Sequence, residues 1–101
     1  MAEFVEQGQV SILGTVLYTG SDSSVLTKIT TMRFNNPLAY TLRLERYDDA
    51  TATTEIIYDL SLSAGDTVTD NLLYALAKND QLIVYTNIPG TTYYVYGVDY
   101  I

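Results

Sequence analysis

The chain has no cysteine and no histidine. The first absence excludes a disulfide framework, a thiolate nucleophile and a cysteine metal site. The second removes the commonest general base and metal ligand. Tryptophan is missing too, and only two prolines and six glycines interrupt the 101 residues. No low-complexity tract or interdomain linker is visible. Five basic residues face twelve acidic ones, for a formal charge of −7. Nucleic acid is therefore not expected as a partner, since phosphate binding needs clustered Lys and Arg. No apolar run approaches the ~20 residues of a membrane helix. The start, Met1 to Val10, carries Glu3 and Glu6 and no basic residue, so it does not read as a secretory signal. The expectation is a chain made in the cytoplasm, with no membrane partner.

A chain of 11.2 kDa suits one domain. Size scaling predicts burial of about 65% of the unfolded surface, enough for one core. The clearest pattern is period two, the signature of strands. Leu38, Tyr40, Leu42 and Leu44 alternate with polar residues, and so do Ile56, Tyr58, Leu60 and Leu62. Thr30, Met32 and Phe34 share a face in a β-branched stretch. Turn residues separate these runs: Gly20-Ser21-Asp22-Ser23, Asn35-Asn36-Pro37, the polar connection 48–53, and Pro89-Gly90, which suits a type II turn.

A short internal echo stands out. Leu62-Ser63-Ala64-Gly65-Asp66 aligns with Leu76-Ala77-Lys78-Asn79-Asp80. Gly65 and Asn79 both tolerate left-handed backbone, and each following Asp can bond a nearby N–H. Two similar strand-turn-strand corners are predicted. Residues 71–78 read either as two helical turns capped by Asp70 or as a strand; the all-β surroundings favour the strand. The expected strands are 10–19, 25–34, 38–46, 54–62, 66–70, 72–76, 81–87 and 91–100. Seven or eight strands in this length predict an antiparallel β-sandwich, jelly-roll or immunoglobulin-like. Residues 1–9 show no pattern and are expected to be a flexible arm before a single domain at 10–101.

Catalysis would have to rest on Asp, Glu, Lys, Ser, Thr or Tyr. Glu45, Asp48 and Asp49 cluster at a strand end, but solvated acids are ordinary there, and their spacing fits no calcium loop. Neither a G-x-S-x-G elbow nor a phosphate loop occurs. No catalytic residue, metal or cofactor is expected.

Tyrosine is the anomaly: ten residues, against two phenylalanines. Tyrosine forms strands well, with an apolar body and a wet tip, and it is also enriched where protein surfaces meet. Sugar stacking is a third use, although such modules favour Trp. Position favours the interface. In the last strand Tyr94, Tyr96, Val98 and Tyr100 take one face while Tyr93, Val95 and Ile101 take the other. Leu82 and Val84 oppose Ile83 and Tyr85, and Val10, Ile12, Val16 and Tyr18 oppose Leu13 and Leu17. A sandwich strand has one inner face. Apolar residues on both predict a second layer from a neighbouring subunit. The expected self-association residues are Leu13, Leu17, Ile83, Tyr85, Tyr93, Tyr94, Tyr96 and Tyr100.

From Ile29 to Tyr100 the chain resembles a family of small all-β virion proteins of tailed bacteriophages. The resemblance rests on Met32-Arg33-Phe34-Asn35-Asn36 at a strand end, on the two corners at Leu62–Asp66 and Leu76–Asp80, and on the closing strand Tyr93 to Asp99. It implies a non-enzymatic virion protein that decorates a capsid or forms part of a neck, tail or fibre. The implied partners are the major capsid protein and further copies of itself, as a trimer at three-fold lattice sites. A carbohydrate- or receptor-binding module of a tail fibre or neck component is the alternative.

Overall fold

A computed structural model describes residues 2–20 and 26–100. Met1, Val25, Ile101 and the loop expected after Gly20 lie outside them. The described residues form nine strands: β1 (Ala2–Gln9), β2 (Thr15–Thr19), β3 (Leu26–Asn35), β4 (Tyr40–Asp48), β5 (Thr53–Leu62), β6 (Thr67–Asp70), β7 (Tyr74–Leu76), β8 (Gln81–Thr86) and β9 (Thr92–Tyr100). They make two antiparallel sheets. Sheet I has the order β1-β9-β3-β6, with β7 pairing β3 beside β6; sheet II has the order β2-β8-β4-β5.

The pairings nest like one long hairpin, with β4 against β5 at its apex and β3 against β6 and β7 below. Next come β2 against β8, then β1 against β9. Successive pairs fall in alternate sheets, and the contacts of β9 with β3 and of β8 with β4 complete them. Rolling a hairpin this way gives jelly-roll order, which decides between the two expected sandwiches. The inward residues explain why the sheets adhere. Ile29, Met32, Phe34, Leu42, Leu44, Leu76, Leu82, Val84 and Val95 are almost wholly buried. Each contributes about 1.5–3 kcal/mol on leaving water.

The structure corrects five expectations. The strand expected at 10–19 is confined to Thr15–Thr19, after a turn at Ile12–Leu13, so Val10 is core while Ile12 and Val16 are exposed. Residues 2–9 are not an arm but an edge strand in register with β9, from Ala2 opposite Asp99 to Gln9 opposite Thr92. Nearly every β1 residue is exposed, so no alternation marks it in the sequence. Phe4 alone turns inward to stack on Tyr18 of β2, with ring centroids 4.1 Å apart. Leu38 precedes β4 and is exposed rather than core. Ile56 is exposed while Ile57 packs on the core, because the pairing skips from Leu44–Tyr58 to Glu45–Ile56. A similar shift between Ile29 and Thr31 takes Thr30 out of phase with Met32 and Phe34. Each is a bulge, where one extra residue reverses the parity of the strand.

The segment 71–78 contains the short strand β7 and no helix. Both predicted corners form, with positive φ at Gly65 (79°) and Asn79 (64°). Gly90 also has positive φ, 91°, as the type II turn requires. Asn36 pins that turn from the core. Its amide donates to Pro89 O at 3.1 Å and Thr91 Oγ1 at 2.9 Å, and its carbonyl accepts Leu38 N–H at 2.9 Å.

Candidate functional site

The tyrosines divide into two populations. One group closes the flanks and ends of the sandwich. On the β1–β2 flank the Tyr18 hydroxyl donates to Asp99 Oδ2 at 2.6 Å, and Thr27 donates to the other oxygen. On the β5–β6 flank Tyr58 and Tyr74 both donate to Asp70 Oδ2, at 3.0 and 2.6 Å. Burial pushes all three hydroxyls above the ordinary tyrosine range, and the neighbouring carboxylate adds to it. Tyr40 donates to Asp66 O at 2.7 Å, and Tyr93 packs on the core. These rings are structural; Tyr74 reaches Asp70 from four residues away, while the pairings of Tyr58 with Asp70 and Tyr18 with Asp99 depend on the roll.

The second group faces out. In β9, Val95 and Tyr93 turn to the core and Gly97 lies under the Phe4 ring. A Cβ on Gly97 would sit 2.6 Å from Phe4 Cζ and 2.7 Å from Lys28 O, so glycine is what lets β1 and β3 flank β9 this closely. The alternate residues Tyr94, Tyr96, Val98 and Tyr100 therefore form the outer ridge of sheet I. Register places Gln7, Tyr94 and Arg33 in one row, Val5, Tyr96 and Thr31 in the next, and Glu3, Val98 and Lys28 in a third.

Cations hold two of these rings. The Arg33 guanidinium lies 4.6 Å from the Tyr94 ring centre and the Lys28 ammonium 5.0 Å from that of Tyr100. Such contacts contribute about 0.5–1 kcal/mol at exposed sites. They order rings that would otherwise sample several rotamers. The Tyr96 hydroxyl is shifted upward by desolvation first and then by its hydrogen bond to the Glu3 carboxylate. Val5 beside it is 48% exposed. The ridge is thus a pre-ordered strip of aromatic and aliphatic surface, with a carboxylate along one border and cations along the other.

Sheet II presents a different outer face. Val16, Ile83, Glu45 and Ile56 make one row across it. Arg43 stacks over Tyr85 at 4.7 Å, and its Nε lies 2.9 Å from Glu45 Oε2, an ion pair without hydrogen-bond alignment. Ile12 and Leu13 stand exposed in the loop before β2. Gly14 (φ 104°) carries that loop over Tyr85, where a Cβ would be 2.6 Å from Cε1.

The eight residues expected at one interface are therefore not brought together. Tyr94, Tyr96 and Tyr100 share the sheet I ridge, while Ile83 and Tyr85 lie on the opposite sheet, with Leu13 in its adjoining loop. Leu17 is core, 3% exposed, because the pairing shifts between Val16 and Tyr18 and turns the intervening residue inward. Tyr93 is inward as well. Sequence reading missed Glu3, Val5, Gln7, Lys28 and Arg33, which border the ridge through register alone. The acids 45, 48 and 49 serve separate contacts: Glu45 meets Arg43, Asp48 accepts Ala50 N–H, and Asp49 accepts the Tyr47 hydroxyl.

No family model matches the chain, and no curated protein matches it. Among solved structures it is similar to a chain from work on Bacillus endospore appendages, described as a novel family of disulfide-linked pili. The identity is 7%, the TM-score 0.45, and the overlap covers 99% of this chain and 87% of that one. At that distance the likeness assigns no role to any residue here.

Proposed function

We propose that this chain is a non-enzymatic structural protein that works by joining protein surfaces. Its setting is the virion of a tailed bacteriophage, where it decorates the capsid by binding copies of itself and the major capsid protein. The observation that carries the reading is the ridge Tyr94-Tyr96-Val98-Tyr100, an ordered aromatic strip on the outside of a sandwich. Tyrosine bodies give large contact area at small entropic cost, and their hydroxyls find partners at a polar rim. The phage setting rests on the resemblance of the two corners and the closing strand. A trimer would join two different faces of each copy around a ring. The nominated residues outside the core do lie on two opposite faces, those of sheet I and sheet II.

Counting copies tests this function. Quantitative mass spectrometry of purified particles is expected to find the chain in numbers comparable to the major capsid protein. A few copies per particle, together with glycan binding by the purified chain, would instead favour a receptor-binding module, whose stacking surface would be the same ridge. Absence from particles would overturn the virion setting.

A further inference from the structure

The borders of the sheet I ridge carry a relation that the other sheet lacks. Glu3 of β1 and Lys28 of β3 both pair with Val98, so they stand at one level on either side of β9. Gln7 and Arg33 likewise both pair with Tyr94, and Val5 and Thr31 with Tyr96. A two-fold axis lying along β9, between two copies packed face to face, keeps each level and exchanges the borders. Glu3 of one copy then meets Lys28 of the other, twice by symmetry. Gln7 offers its side-chain carbonyl to the partner's Arg33, and Val5 meets the methyl of Thr31. Tyr96 and Val98 meet their own counterparts on the axis.

Aligned sheets pack about 10 Å apart with strands at about −30°. Glu3 and Lys28 sit one strand spacing, about 4.8 Å, from the axis, so that angle displaces them by under about 3 Å, within reach of both long side chains. The same operation about β8 in sheet II sets Val16 against Glu45, an aliphatic side chain against a carboxylate.

We infer that two copies of this chain associate through the outer face of sheet I, about a two-fold axis parallel to β9, with reciprocal Glu3–Lys28 ion pairs. The inference rests on the self-associating structural role proposed above and gives it a face and a symmetry. An isologous contact closes on itself, which suits a patch bearing both its own charges and their complements. The axis overlaps β1, β9 and β3 of each copy; three strands at about 4.8 Å and seven residues at about 3.4 Å give a footprint of about 340 Å2 per copy. Two such faces total about 700 Å2, below the roughly 1,200 Å2 of standard specific interfaces, so the pair is a weak, concentration-dependent one. Its exposed ion pairs weaken with salt.

Sedimentation equilibrium of the full chain at tens of micromolar is expected to show twice the 11.2 kDa chain mass, with dissociation on dilution. Glu3→Lys and Lys28→Glu, each checked for folding by circular dichroism, should weaken association at least about tenfold through like-charge contact. Combining both reversals should restore it. The native chain has no cysteine, so Tyr96→Cys places a single thiol beside the axis. A short bis-maleimide should join two such chains, and should not join Val16→Cys chains on the opposite sheet. A mass of three chains, or cross-linking through Val16→Cys alone, would overturn the two-fold face while leaving self-association standing. A monomer at every concentration, or a double reversal that stays folded and dissociated, would overturn the inference. Copy number on particles judges the structural role independently of either result.

Discussion

The corners at Leu62–Asp66 and Leu76–Asp80 are built alike. In each the Asp N–H donates to the carbonyl three residues back at 3.1 Å, to Ser63 O in one and Ala77 O in the other. In each the Asp carboxylate accepts that same residue's N–H, at 3.2 and 3.0 Å. In each the left-handed residue donates its N–H to a distant loop at 2.9 Å, Gly65 to Asn36 O and Asn79 to Gly20 O. There the likeness ends. Asp66 is exposed, and its corner is held through backbone carbonyls, by Tyr40 and by the Asn35 amide. Asp80 is 3% exposed and accepts two further groups, Asp49 N–H at 2.9 Å and the Arg46 guanidinium at 3.5 Å. Five residues are enough to shape a turn. Its energetic weight comes from what the rest of the chain buries against it.

Alkali is the broadest way to break this comparison. Tyr40 over the first corner, and Tyr18, Tyr58 and Tyr74 on the flanks, all have hydroxyls shifted above their ordinary value of 10.0, first through burial. A neutral tyrosine favoured by the fold contributes its full stability below the unfolded value. That contribution is lost as pH climbs above it toward the folded value. Stability is therefore expected to hold up to about pH 10 and then fall, with tyrosinate absorbance rising together with unfolding. Amides of the first corner should lose exchange protection before those around Asp80. Simultaneous loss, or a protein equally stable well above that pH, would contradict the assignment.

The largest single substitution is expected at Gly20, the anchor of the second corner. A Cβ there would lie 1.9 Å from Ala77 O, a backbone atom that cannot move aside alone. Gly20→Ala should cost about 3 kcal/mol, read as a lower urea midpoint. Asp80→Ala comes next. It leaves the N–H groups of Asp49 and Ala77 without an acceptor and takes the carboxylate from Arg46, whose Nη2 keeps Ala75 O at 2.7 Å, at a cost of about 2–3 kcal/mol. Asp66→Ala removes one exposed bond and should cost under about 0.5 kcal/mol in the same assay. Equal losses at Asp66 and Asp80 would mean that burial does not separate the two corners.

Much of this was legible in the chain itself. Strand positions, turn residues and the twin corners follow from short-range rules: alternation, left-handed tolerance, and Asp beside a free N–H. The candidate surface was half legible. Tyr94, Tyr96 and Tyr100 were correctly separated from Val95 by parity. Leu13, Leu17, Ile83, Tyr85 and Tyr93 read as part of the same set because two-faced strands look alike whatever lies on each side.

Local pattern by itself determined that the chain makes an all-β sandwich, where most of its turns fall (the one at Ile12–Leu13 excepted), and that its tyrosines exceed what one core needs. Tertiary structure alone decided the phase of each strand past its bulges, since one extra residue reverses every later side chain without changing composition. It also decided that residues 2–9 are a strand. Their partner, β9, lies some ninety positions away, and their exposed faces need no hydrophobic alternation. Only the roll of the nested hairpin set Glu3 and Lys28 level with one another across Val98. Ladder register is a relation between distant segments, and no window of neighbouring residues contains it.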